Sequence, residues 1–301
     1  MRRRFALVFN AHAGVAWPRL LTAVLKKLEA AGADVTALAT ESAEDATRQV
    51  MVLAASGGYD GVIAAGGDGT IRAVAAGAAG SALPVGIIPL GTGNVMRFEI
   101  GLKSSADDVA RTLLEGPDIP IEGGLVNGAP FFLMVGAGFD GRIVNALSQN
   151  TKRFLGRLAY GGPITRTLWA GPDRLDVEID GRRFQASWVI VSNASRYGGS
   201  FVLTRSTAMG AAGLVAVVVK GTTRRALLKT SVALALGRLA RPETCPKDVE
   251  AIACRHVWIG GPKPVPVEID GDEGGVTPVE IRAGGVITRF IVPAAYVASP
   301  T

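Results

Sequence analysis

The sequence is short of the residues that build metal centres and disulfide frameworks. Its 301 residues hold two cysteines, Cys245 and Cys254, and two histidines, His12 and His256. Cys245, Cys254 and His256 would make three metal ligands, but no fourth is at hand and His12 is remote in sequence, which argues against a zinc site. The cysteines have no second pair, so free structural thiols are expected. Long hydrophobic runs are missing too. No apolar stretch of about 18 residues lacks a charge or a breaker, which excludes a transmembrane helix. The basic start Met1-Arg2-Arg3-Arg4 leads into Phe5–Phe9 and then Asn10, too short an apolar run for a signal-peptide core. A cytoplasmic protein is expected. Aromatic residues are 6% of the chain, and none are interleaved with a basic stripe of the kind that binds nucleic acid.

What is present is a globular composition, 48% hydrophobic and 19% charged, with a net charge of +6. That suffices for one large or two ordinary domains with proper cores. The basic excess suits anionic partners, and an acidic membrane surface fits better than nucleic acid.

The chain is organised around Gly66-Gly67-Asp68-Gly69-Thr70. Gly61–Ala65 before it reads as a short buried strand, and Ile71–Ala79 after it as a helix. Bare glycine backbone lets N–H groups approach an anion, and the helix aims its positive end at the same place. A carboxylate in such a cradle needs a cation or a transferable proton beside it, which points to phosphoryl transfer from a nucleotide with Mg²⁺ at Asp68. Pro84–Pro89 repeats the logic as a second buried strand, followed by the small-residue turn Leu90-Gly91-Thr92-Gly93-Asn94. Two such turns at the carboxyl ends of neighbouring parallel strands make a ligand cleft.

This pair of motifs at this spacing resembles the diacylglycerol kinase catalytic-domain family, the bacterial lipid kinases related to sphingosine and ceramide kinases and, more distantly, to NAD kinases. The first motif is shared with NAD kinases and phosphofructokinases; the pair is the specific signal.

Taken in order, Arg4–Phe9 reads as the first strand, and Asn10 matches the start of a family Asn-Pro-x-Ser-Gly motif whose proline is absent here. Pro18–Ala31 is an amphipathic helix with Leu21, Val24, Leu25 and Leu28 on one face. Asp34–Ala39 is a second strand, and Thr40 matches a family threonine near the phosphates. A helix capped by Ser42 follows, and another capped by Ser105 runs through Glu115. Strand–helix alternation gives residues 1–120 as a doubly wound α/β nucleotide-binding domain.

Beyond Gly116-Pro117-Asp118-Ile119-Pro120 short alternating segments dominate, so 121–301 is expected to be a β-rich antiparallel sandwich, which the resemblance implies is the substrate domain. Its strands are expected at Pro130–Val135, Leu175–Ile179, Phe184–Val191, Leu214–Val219, Val249–Ile259, Val265–Ile269, Val279–Ile281 and Val286–Val292. Helices are expected at Lys152–Leu168 and Thr223–Leu239. Gly136-Ala137-Gly138-Phe139-Asp140-Gly141 has G-x-G-x-x-G spacing, but no acid lies about 20 residues on and no βαβ unit follows, so it is a weak dinucleotide fingerprint. It is similar to a family Gly-x-Gly-Phe-Asp segment. Asn193, Tyr197-Gly198-Gly199 and the stretch 152–160 also resemble family segments, so the likeness runs nearly end to end.

The resemblance implies an ATP-dependent kinase of a lipid hydroxyl, with its site in the cleft between the domains and peripheral contact with the membrane. Glu268-Ile269-Asp270-Gly271-Asp272 aligns with the family's Asp-Gly-Glu motif. It implies Asp270 as the base that takes the lipid hydroxyl proton and Asp272 as its partner. Gly66, Gly67, Gly69 and Thr70 would meet phosphates, Gly91, Thr92, Gly93 and Asn94 would hold the nucleotide from the second turn, and Asn10 and Thr40 would complete its site. Three departures stand out. Asp272 replaces a glutamate, which shortens its reach by roughly 1 Å, a misplacement large enough to slow chemistry. Ala212 and Ala216 replace two aspartates that support a structural Mg²⁺, so that second site is expected to be absent. Val95 follows Asn94 where many members carry aspartate. Two other readings stand beside the lipid kinase: a degenerate, non-catalytic nucleotide- or lipid-binding protein, and a kinase of a soluble acceptor like the NAD kinases.

Overall fold

A computed structural model describes residues 1–10, 18–147 and 161–297. The loop containing His12 and the segment 152–160 lie outside the described residues. The chain divides into two compact units, Met1–Glu122 with Val286–Thr301, and Gly123–Gly285.

In the first unit β1 (Arg4–Asn10), α1 (Arg19–Ala30), β2 (Asp34–Thr40), α2 (Ala43–Ser56), β3 (Gly61–Gly66), α3 (Asp68–Gly77), β4 (Val85–Pro89), α4 (Val95–Glu99), α5 (Ala106–Glu115) and β5 (Asp118–Val126) follow in order. The parallel strands lie in the order β2-β1-β3-β4. Beta-branched and small apolar residues fill β3 and β4, and Val62, Ile63, Ala64, Val85 and Ile88 have no exposed surface. Such runs suit strands covered on both faces. The pairs α1/α5 and α2/α3 pack against each other. Their starts follow capping chemistry. Ser42 accepts the Asp45 N–H at 3.1 Å, and Ser105 accepts the Asp108 N–H at 3.1 Å. The chain moves from β1 outward to β2 and then to β3 on the other side, so the order reverses beside β1, where open α/β sheets bind ligands.

The second unit continues with β6 (Ala129–Phe131), β7 (Met134–Gly138), α6 (Phe139–Asn145), α7 (Gly161–Ala170), β8 (Leu175–Ile179), β9 (Arg182–Ala186), β10 (Trp188–Ser192), β11 (Arg196–Tyr197) and β12 (Phe201–Val202). Then come β13 (Leu214–Val219), α8 (Arg224–Ala235), β14 (Val249–Cys254), β15 (His256–Gly260), β16 (Pro266–Ile269), β17 (Asp272–Val276) and β18 (Val279–Ile291), whose end leads into α9 (Ala294–Val297) of the first unit. One antiparallel sheet has the order β14-β13-β10-β7-β16-β17. The other face of the sandwich is built from β9, β8, β15 and the first half of β18. Val135, Ala137, Val189, Val267 and Ile269 from one side meet Leu175, Val177, Val257 and Ile281 from the other in a single core.

The structure differs from the expected elements in three informative places. Val249–Ile259, expected as one strand, is two, because the chain crosses from one sheet to the other at Arg255. Val279–Ile281 and Val286–Val292 are one strand, in which Gly284 and Gly285 (φ 78° and 90°) absorb a bend without ending it. That strand also belongs to both units. Its second half groups with Met1–Glu122 in the first unit. Phe290 pairs with Val85, the Thr288 hydroxyl donates to the Ala75 carbonyl at 2.8 Å, and Arg289 meets Asp118 at 2.7 Å.

Phe290 is 1% exposed, and truncating a buried aromatic of this kind costs about 3–5 kcal/mol. Phe290→Ala is therefore expected to lower the unfolding free energy by about that amount in urea titrations followed by circular dichroism.

Candidate active site

The first site is made where β3 and β4 end. Gly66 must lack a side chain, since a Cβ there would lie 2.4 Å from Thr70 Oγ1. After the next strand, a Cβ on Gly91 would lie 2.5 Å from the Cα of Gly67. The two glycine-rich turns therefore touch backbone to backbone, and the Leu90 N–H donates to the Gly66 carbonyl at 2.9 Å. Asp68 fastens the contact. Its Oδ2 accepts the Val95 N–H at 2.9 Å and its Oδ1 the Met96 N–H at 3.1 Å, which caps the start of α4. Asn94, held at φ 47°, folds back on its own turn: its Oδ1 accepts the Gly91 N–H at 2.9 Å and its Nδ2 donates to the Gly91 carbonyl at 2.6 Å. Gly93 closes the ring beside Asp68, with 3.5 Å between Asp68 Oδ2 and a Cβ placed there. Gly66, Gly67, Asp68, Gly69, Thr70, Gly91, Thr92, Gly93 and Asn94 all stay partly open to solvent.

Asn10 and Thr40 are register partners at the carboxyl ends of β1 and β2. Thr40 is 3% exposed and its hydroxyl donates to the Phe9 carbonyl at 3.1 Å, so it serves the sheet.

Asp270 and Asp272 belong to the second unit, on the hairpin between β16 and β17. Asp270 sits at φ 51° and is 4% exposed. Its carboxylate accepts three main-chain N–H groups at 2.9 Å each: Phe132 on Oδ2, Leu133 and Met134 on Oδ1. Asp272 opens β17 opposite Ile269 and is half-buried, while Glu273 next to it is exposed.

Two buried acids lie outside the expected site, Glu268 on β16 and Asp140 on α6. Glu268 is 3% exposed; its Oε2 accepts the Gly271 N–H at 2.7 Å, and its Oε1 makes no hydrogen bond among the described residues. Asp140 is 2% exposed, with Oδ1 on the Gly141 N–H and Oδ2 without a hydrogen bond among the described residues. Glu268 pairs across the ladder with Gly136. A Cβ on Gly136 would lie 2.0 Å from Asp140 Oδ2. The first glycine of Gly136-Ala137-Gly138 is thus the opening through which Asp140 reaches Glu268's face of the strand. The G-x-G-x-x-G spacing is answered by packing. Gly141, in the same run, has the Pro266 carbonyl 2.1 Å from where its Cβ would be. Burial pushes the Asp140 carboxyl up to about 7 and the Glu268 carboxyl well above the usual range, and repulsion from Asp140, Asp270 and Asp272 raises Glu268 further. Carboxylates that repel one another in a dry site resist ionising together. The sequence could have marked Glu268 as a lone acid in the apolar run Val265–Ile269, but nothing in it pairs that acid with Asp140, since strand register is a tertiary property.

Cys254 is 4% exposed in the sandwich core, and burial pushes its thiol up to about 12. His256 instead faces Glu280 at 2.8 Å. Among the described residues no three His, Cys, Asp or Glu side chains converge to hold a metal ion. Ala216 is fully buried in β13.

Comparison with known proteins matches both halves. Residues 4–126 match the diacylglycerol kinase catalytic domain, and residues 133–295 the YegS C-terminal NAD kinase beta sandwich-like domain. The chain belongs to the diacylglycerol kinase and YegS family. It is 28% identical over 287 residues to a diacylglycerol kinase of Bacillus subtilis, covering 92% of each chain. It is 31% identical over 144 residues to a probable YegS-like lipid kinase of Klebsiella pneumoniae, covering 46% of this chain and 48% of that one. A match to an uncharacterized Synechocystis protein, 26% identical over 226 residues, covers 73% of this chain and 52% of that protein. The chain thus spans about half the length of that relative and nearly all of the Bacillus enzyme. Among solved structures, a putative diacylglycerol kinase of Bacillus anthracis shares the fold, with a TM-score of 0.77 at 22% identity over 98% of this chain and 97% of that one. As in the family, an α/β domain precedes a β-sandwich. No helix among the described residues is long and apolar enough to cross a membrane.

The buried pair has a pH consequence. Acids held protonated in the fold ionise near pH 4 once unfolded, so the unfolded chain binds fewer protons above that pH. Stability is full below pH 4 for these groups and falls as pH rises towards about 7, where Asp140 titrates. Urea unfolding is expected to show this fall between pH 5 and pH 7 in the parent chain and a clearly smaller one in Glu268→Gln, whose amide keeps the bond to Gly271. A pH-independent parent would refute it.

Proposed function

We propose that the protein is an ATP-dependent lipid kinase that transfers the γ-phosphate to a free hydroxyl of a lipid such as diacylglycerol, working at the surface of an anionic membrane. The observation that carries this reading is the contact of the two glycine-rich turns, Gly67 against Gly91, with Asp68 at their junction. Side-chain-free backbone and the first N–H groups of α3 suit the phosphates of a nucleotide. Thr70 and Thr92 add hydroxyls, and Gly66, Gly69 and Gly93 keep the approach open. Asn94 shapes the second turn through its two bonds to Gly91. Asn10 and Thr40 end neighbouring strands at the same edge of the sheet.

The donor set suits Mg²⁺ in one respect: Asp68 offers a carboxylate at the turns, and Mg²⁺ is commonly bound by one or two carboxylates with phosphate oxygens and water. When bound it would neutralise charge on the transferred group. In this reading Asp270 accepts the proton of the attacking lipid hydroxyl, and Asp272 assists. The three N–H bonds to Asp270 hold its carboxylate in one orientation. The family resemblance supplies the roles of these two acids.

A second reading has its own support. Aspartate in place of glutamate at 272, together with Ala212 and Ala216, fits a member that binds nucleotide or lipid without turnover.

The test is transfer of labelled γ-phosphate from ATP with Mg²⁺ to a bacterial lipid extract. The parent chain is expected to yield a labelled lipid, and Asp68→Asn and Asp270→Asn to lose it by about 10²-fold or more. Asp272→Glu is expected to retain or raise the rate. ATP binding with no labelled lipid would favour the non-catalytic reading, and a labelled soluble product the NAD kinase-like one. Asp270→Asn should also lower the unfolding free energy by about 1–3 kcal/mol, because an amide cannot accept all three N–H groups.

A further inference from the structure

Helix α8 is apolar on two sides. Thr223 caps it by accepting the Ala226 N–H at 3.1 Å, and Leu227, Thr230, Ala233 and Leu234 bury one face against the second unit. A surface helix normally keeps its other face polar. Here Leu228, Val232 and Leu236 recur every fourth residue on the outer face and are 51%, 47% and 58% exposed. Successive i, i+4 positions lie one above another on a helix, so the three form one stripe. At 100° per residue Arg224 falls on one side of the stripe, Lys229 on the other, and Arg225 within it.

The charge on the helix itself has one sign, and the first acid beyond it is Glu243, next to the groove residue Thr244. Between residues 222 and 242 the cations are Arg224, Arg225, Lys229, Arg238 and Arg241, and the sequence places no Asp or Glu there. Arg225, Leu228, Lys229, Val232 and Arg238 together line a shallow groove of about 300 Å³. Helix α7 packs on α8, the Arg224 side chain lies within 3.5 Å of where a Gly171 Cβ would sit, and Trp169 at the end of α7 is 76% exposed. An exposed tryptophan beside an aliphatic stripe rimmed by long cationic side chains has the chemistry of the bilayer interface: rings and aliphatics at acyl depth, cations reaching to the headgroups.

We propose that the outer face of α8, with Trp169, is the surface on which this protein docks onto an anionic lipid bilayer. An identical copy is a poorer occupant. Two-fold pairing of this stripe would bring the same arginines and lysine against one another, and like-charge juxtaposition opposes such a partner. An anionic leaflet complements them. The inference rests on the lipid-kinase reading only for its motive, because docking needs neither ATP nor turnover.

The experiment is co-sedimentation of the full chain, without ATP, with vesicles of phosphatidylcholine alone or mixed with phosphatidylglycerol. The parent is expected to bind the mixed vesicles and to leave as salt is raised. Arg225→Gln with Lys229→Gln should weaken binding by about 30-fold, since each cation near an anionic surface contributes about fivefold. Leu228→Ser with Val232→Ser should weaken it by about tenfold through lost apolar burial. Both pairs lie on exposed positions and should melt with the parent and phosphorylate a detergent-dispersed lipid at the parent's rate. Binding that survives in a chain with no kinase activity would sink the kinase reading and leave the docking face standing. A parent that ignores anionic vesicles, or variants that bind as tightly as the parent, would overturn the proposal. So would a concentration-dependent dimer that the serine pair abolishes, which would make the face a contact between copies.

Discussion

Backbone contact between two turns is the constraint on which the first unit's candidate site depends. The turns after β3 and β4 approach until the Cα of Gly67 occupies the place that any side chain on Gly91 would need. Neighbouring parallel strands bring their ends within range, but only glycine lets the turns close. Asp68 then uses both carboxylate oxygens to hold the second turn, through the N–H groups of Val95 and Met96. A buried or half-buried N–H left without an acceptor costs free energy, and a carboxylate is its strongest acceptor. The acid at the centre of the motif therefore builds the cradle as well as standing in it.

The second unit uses the same device repeatedly. Asp270 gathers the N–H groups of Phe132, Leu133 and Met134 where β6 gives way to β7. Glu268 accepts the Gly271 N–H and Asp140 the Gly141 N–H. Asp180, in the turn between β8 and β9, accepts from His256 at 2.9 Å. Acids here fasten turns to strand ends, and Asp270 does so with three N–H bonds. Burial of Asp140 and Glu268 beside the hairpin of β16 and β17 raises both carboxyls above their usual range.

The C-terminal strand has a different task. Its first half closes the sandwich against β15, and its second half lies beside β4 of the first unit. Chain order and spatial grouping part company at Gly284 and Gly285, where positive φ angles let one strand serve both units.

Much of this was legible in the amino-acid order. Local patterns mark strand, turn and helix, so the doubly wound first half, the β-rich second half, the caps at Ser42 and Ser105, and the two glycine-rich turns follow from periodicity and turn chemistry. The paired motifs also carry the family, because glycine and aspartate at fixed spacing reflect a local geometric need. Which acid meets which N–H was decided by the tertiary structure. Asp68 on α4, Asp270 on β7 and Asp140 over Gly136 join residues 27 to 138 positions apart or meet through strand register, and sequence periodicity carries no information about register between distant strands. The same holds for the return of β18 and for the outward stripe on α8. An aliphatic residue on a helix reads as core until its neighbours are known, and only packing shows that Leu228, Val232 and Leu236 face away from it.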